Sequence, residues 1–143
     1  MKSKQSTEKM MNQLHSVKDF SAFSNDHEDD FISPSLAAHI QALIEEKTLV
    51  KTEVIKRANL DRVYGYQIIS GRRMPSRDKL IQLAIGLELD VEGTQTLLKM
   101  GGMAPLYAKI KREAAIIFCI NKGYTWMETQ AFLQQADVRI ISE

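Results

Sequence analysis

The stretch VYGYQIISGRRMPSRDKL, residues 63–80, decides how this chain is read. It begins as a helix, yet Gly65 stands between Tyr64 and Tyr66. A glycine there weakens a helix by about 1 kcal/mol relative to alanine. The run stops at Gly71 and gives way to Arg72 and Arg73, then to Pro75, Ser76 and Arg77. Helical spacing puts Tyr64 and Ile68 on one face with Gly65 beside them, and turns Arg62, Val63, Tyr66 and Gln67 the other way. The glycine then reads as a spacer on the inner face. Without a Cβ the helix lies close to a neighbour, Tyr64 fills the adjoining volume, and Tyr66 points outward.

The flanking sequence repeats one pattern, a capping residue followed by an apolar stripe at helical spacing. Ser33 is expected to cap the first firm helix, with Pro34 at its first position and Leu36, Ile40, Leu43 and Ile44 inward. KTEVIKRA, residues 51–58, is a second helix with Val54, Ile55 and Ala58 inward. Asn59 suits a left-handed turn, and Asp61 caps a third helix ending at Ser70 with Gly71 as its stop. Ser76 caps a fourth helix whose stripe is Leu80, Leu83, Ala84 and Leu87. Asp90 opens a fifth, ended by Gly101 and Gly102. Residues 105–122 read as a sixth, ended by Gly123. TWME at 125–128 is a capping box for a seventh, with Met127, Ala131 and Phe132 or Leu133 inward. The fold class is therefore all-α, with seven short helices. Residues 1–32 read as a polar, partly disordered arm with a short helix around Thr7 to Leu14, and residues 103–143 as a C-terminal helical extension.

Composition narrows the function classes. The 143 residues are 44% hydrophobic and 26% charged, a globular balance. No apolar run approaches the roughly 18 residues of a membrane span. The N-terminus lacks the apolar segment of a secretory signal. The single cysteine, Cys119, lies in the apolar run AAIIFCI and reads as a small buried hydrophobe in a reducing cytoplasm. His15, His27 and His39 are scattered, so no metal set is expected, and no cofactor loop or catalytic constellation appears; an enzyme is not expected. The net charge is only +1, but its distribution is uneven. Residues 35–79 hold nine Lys and Arg against five Asp and Glu, whereas residues 1–34 and 80–143 carry an acidic excess. A basic patch confined to one segment is the footprint of an anion or nucleic-acid site.

With those elements in order, residues 35–90 resemble the lambda-repressor-like, or XRE, helix-turn-helix family. LAAHIQALIEEKTL resembles its first helix, VKTEVIKRANL its second helix and turn, and DRVYGYQIISGRRMPS its recognition helix and following loop. RDKLIQLAIGLELDVEGTQTLL resembles its fourth and fifth helices. The resemblance implies a five-helix DNA-binding domain over residues 33–102, a bacterial or phage origin, and a transcriptional regulator that binds double-stranded DNA as a homodimer. It also implies roles. Arg62, Val63, Tyr66 and Gln67 occupy the base-reading face, where Arg suits guanine, Gln adenine, and Val the thymine methyl. Lys51, Arg72, Arg73 and Arg77 fall where phosphate is neutralised.

Two positions depart from the family pattern. Val50 replaces the usual capping Ser or Thr before the second helix, and Gly65 replaces an apolar residue inside the third. They motivate an alternative, a protein-interaction adaptor or antitoxin-like module on the same fold, with residues 103–143 as a possible partner surface.

Overall fold

The computed structural model describes residues 7–26 and 35–142, the side chains of 24–26 excepted. Among these residues there are nine helices and no strand, so the described chain is all-helical. His27, Ser33 and Pro34, named above, lie outside the described residues. The chain divides into two compact units, Met1–Pro34 and Ser35–Glu143.

The first unit contains α1, Thr7–Ser16, and α2, Phe20–Asp26. The second of these was not expected from the sequence. Asp19 opens it, its carboxylate accepting the Ser21 N–H at 3.0 Å, and the Phe20 and Phe23 rings lie 6.2 Å apart.

The second unit holds α3, Leu36–Glu46; α4, Lys51–Arg57; α5, Arg62–Ser70; α6, Arg77–Gly86; and α7, Val91–Met100. It is completed by α8, Lys111–Lys122, and α9, Trp126–Gln135. Caps set most of the boundaries. Ser35, rather than Ser33, caps α3, its hydroxyl accepting from Ala38 N. Asp61, Ser76 and Asp90 accept from the third residue of their helices, and Thr125 with Glu128 forms the full capping box. Such caps are each worth about 1 kcal/mol. Asn59 takes the left-handed conformation at φ 54°, as does Gly71 at 83°. Val50 precedes α4 with no side-chain cap.

One contiguous core joins these helices. Ile40 and Ile44 of α3, Val54 and Ile55 of α4, Ile68 and Ile69 of α5, and Leu80, Ile81, Leu83 and Ala84 of α6 with its C-cap Leu87 join Leu97 and Leu98 of α7. The same cluster includes Ile116 of α8, Leu133 of α9 and Ile141 of the tail. Two glycines seat α4 inside it. A Cβ at Gly65 would stand 2.7 Å from Ile55 Cγ2, and one at Gly86 would meet the Val54 carbonyl and Ala58. Helix α4 thus runs close against α5 on one side and α6 on the other.

The C-terminal region differs from the sequence expectation in two ways. Residues 105–110 are not helical; α8 begins only at Lys111. The Gln95 side-chain amide both donates to Leu106 O at 2.9 Å and accepts from its N–H at 2.7 Å. That pairing satisfies Leu106 without a helix and buries its side chain. In α9, Met127 and Ala131 face solvent, and Thr129 and Leu133 face the core. Of the residues expected inward, Leu133 is buried and Met127 and Ala131 are not; Thr129, one turn before Leu133, takes the inner place.

Candidate nucleic-acid interface

Helix α5 is placed by its inner face. Gly65 is buried with its backbone against Ile55, and Ile68 and Ile69 enter the core. This phase turns Arg62 and Val63 to solvent; Val63 is 65% exposed. Gln67 is half-buried on the next turn. Its carbonyl accepts from Arg72 N at 2.9 Å and Arg73 N at 3.3 Å, which ties the Gly71 loop back onto the helix. Gln41 Nε2 of α3 donates to Ile69 O at 2.8 Å and secures the same end.

Cations occur at both ends of this helix, Arg62 at its first position and Arg72 and Arg73 just past its Gly71 stop. Arg62, Arg72 and Arg73 are exposed, as is Lys51 at the start of α4. None of the four has an ion pair among the described residues. Arg73 lies over the Tyr64 ring, 5.4 Å from its centroid, which restrains the side chain while leaving its charge uncompensated. Asp61, the nearest acid in sequence, holds its carboxylate on the Tyr64 N–H at 3.1 Å.

Two of the expected residues stand elsewhere. Tyr66 does not swing free. It is half-buried and packs against the core cluster, as Tyr64 does, so the two rings are not divided between inside and outside. Arg77 is committed inside the molecule. Its Nη1 and Nη2 fork onto the Glu113 carboxylate at 2.5 and 3.0 Å. Its Nε donates to Ala104 O and its Nη2 to Pro105 O, both at 3.0 Å. Arg77 is thus a strut between α6 and the segment leading to α8, and it is not available as a free cation. The sequence places it one turn from Arg73 and holds no local sign of a partner 36 residues away.

Glu113 is a carboxyl whose pKa is lowered by its surroundings. The Arg77 hydrogen bond holds its pKa below the usual carboxylate range, helped by the Tyr107 N–H and opposed by burial. Burial pushes the Cys119 thiol up, which leaves it a packed apolar group. Among the described residues no group of three or more His, Cys, Asp or Glu could hold a metal ion, and no helix is long and apolar enough to cross a membrane. Comparison with known protein families, curated proteins and solved structures finds no match to this chain.

Proposed function

We propose that this chain is a sequence-specific, cytoplasmic DNA-binding transcriptional regulator of the lambda-repressor-like, helix-turn-helix type, with α5 as the helix that enters the major groove. The observation that carries the reading is the close seat of Gly65 on Ile55. It gives α5 one phase, in which Arg62 and Val63 at its start are exposed, and the exposed Arg72 and Arg73, which have no ion pair among the described residues, follow its C-terminal stop. Phosphate contacts supply affinity and base contacts supply choice, and the two kinds of group lie on one helix and its loop. Arg62, Val63 and Gln67 are assigned to base edges, Lys51, Arg72 and Arg73 to phosphate, and Tyr66 to support of the helix from within.

A homodimer follows from the same reading, since two-fold operators mirror two-fold proteins. Its contact is assigned to the aromatic surface of α8 and α9, where Phe118 stacks on Phe132 at 4.9 Å and Tyr124 meets Phe118 edge-on. Phe118 remains 41% exposed. Light scattering should give a dimer for the full chain and a monomer for Phe118→Arg; a monomer in both removes the dimer.

The DNA reading is tested by retaining genomic fragments on the immobilised chain at about 50 and about 200 mM salt and sequencing them. A shared motif that survives the higher salt supports the regulator. Retention without a motif, or no retention at low salt, overturns it and favours the adaptor alternative.

A further inference from the structure

A groove of about 890 Å³ lies on another part of the second unit, between α4 and α6 on one side and the α8–α9 turn on the other. This volume is in the range of small-molecule sites. One wall is apolar, built from Ile85, Leu89, Ile120 and Trp126, all half-buried against the core. The rim carries Lys56 and Lys122. Asp90 also lines it, but its carboxylate already accepts the Gly93 N–H at 2.7 Å as the α7 cap.

Arg57 is the unusual member. Its Nε donates to Gly86 O at 3.1 Å, which fixes the guanidinium. Its Nη2 is buried yet makes no hydrogen bond. The same Nη2 forms a long ion pair with Oε1 of Glu88, which also lines the groove, at 3.6 Å, beyond hydrogen-bonding range; the two side chains are 35% and 60% exposed. An exposed pair of that length is weak, and it leaves the buried donor unsatisfied. A guanidinium held by one backbone acceptor and one long ion pair, set in a groove with an apolar wall and two further cations, matches a ligand with an apolar body and an anionic head.

We propose that this groove is a binding site for a small amphipathic carboxylate, its carboxylate on Arg57 between Lys56 and Lys122 and its hydrocarbon or aryl body along Ile85, Leu89, Ile120 and Trp126. The site stands independently of the DNA reading. Nothing in it suggests a covalent step; the reaction is reversible binding.

Trp126 is the single tryptophan of the chain and lines the groove, so it reports occupancy directly. The full chain is titrated with 4-phenylbutyrate, with octanoate and with the neutral 4-phenylbutanol, following tryptophan emission and the melting temperature. Both carboxylates should give a saturable emission change and a higher melting temperature, with Kd of about 10 µM to 1 mM. The alcohol should bind at least about tenfold more weakly, the value of a hydrogen bond to a charged group. Arg57→Gln should remove that preference. Because Arg57 also braces Gly86, a second variant is needed, and Met127→Glu, at a rim position 79% exposed, serves. It should melt like the parent protein and weaken the carboxylates while sparing the alcohol. The proposal is overturned by no saturation up to about 10 mM, by equal affinity for acid and alcohol, or by a Met127→Glu protein that still prefers the acid.

Discussion

Arginine does two different jobs in two regions of this molecule. At the two ends of α5, Arg62 and Arg72 have no ion pair among the described residues, and Arg73 only rests on an aromatic ring. Between α6, α8 and the tail, Arg77 and Arg112 are fully engaged. Arg112 Nη2 donates to both Asp78 oxygens at 3.2 and 3.0 Å, its Nε to Arg139 O at 2.8 Å and its Nη2 also to Ile140 O at 3.1 Å. The first set leaves an uncompensated positive field toward solvent, while the second converts charge into cross-links between distant segments. A basic stretch in a sequence therefore mixes cations available to a partner with cations already spent on the fold, and only the surroundings separate them.

The largest effect that can break this comparison is salt dependence. If the three phosphate-assigned cations of each subunit, six in the dimer, meet phosphate, affinity for DNA should fall about 10³-fold between about 50 and 200 mM salt. Replacing Arg72 and Arg73 together by alanine should lower the log–log slope by about 2 per subunit, weaken all sequences alike, and leave the folding stability within about 0.5 kcal/mol of the parent. Anisotropy titrations at several salt concentrations check this; an unchanged slope would put these arginines outside the interface.

Arg77→Ala should show the opposite signature. It leaves the Glu113 carboxylate buried without its partner, and should cost about 3–4 kcal/mol of stability by denaturant melts. DNA binding by the folded fraction should be unaltered. The pair also gives a pH dependence. Glu113 is held below its ordinary value of 4.5, so its contribution to stability is full above that value and is lost as pH falls through the lower folded-state pKa. Glu113→Gln should flatten stability against pH on that acid side. An equally steep acid loss in the variant would assign it to other carboxyls.

Changes on the inner face of α5 come next in size. Gly65→Leu should overpack Ile55 and cost roughly 3 kcal/mol, and Gly65→Ala about 1 kcal/mol, because even a methyl overlaps the Ile55 side chain. The gained helix propensity does not offset this. A Gly65→Ala protein that melts above the parent would mean that α4 and α5 do not meet as described.

The outer face should give effects of about 1–2 kcal/mol on the best DNA site only. Arg62→Ala and Gln67→Ala should each relax choice at one base pair while leaving random DNA little affected. If both weaken random DNA equally, the comparison collapses, since these side chains would then act as generic cations and polar groups.

Much of the second unit was legible in advance because its signals are local. Asp61, Ser76, Asp90 and Thr125 cap helices through hydrogen bonds that span three residues, and Gly71 and Asn59 supply left-handed turns. The spacing of Tyr64, Gly65 and Ile68 was enough to phase α5 and to name Arg62 and Val63 as its outer residues. Other features depended on partners far along the chain. The Gln95 amide holds Leu106 out of a helix, and the Gln130 amide does the same for Ile141, donating and accepting at 2.9 Å. Asp78 accepts from Ser142 N, and Arg77 finds Glu113. The sequence by its own short-range chemistry determined where helices start, stop and turn their apolar faces. The tertiary structure decided which polar side chains are consumed in bridging those helices and which remain exposed, because a hydrogen bond between residues 36 or 64 apart leaves no mark on the spacing around either one.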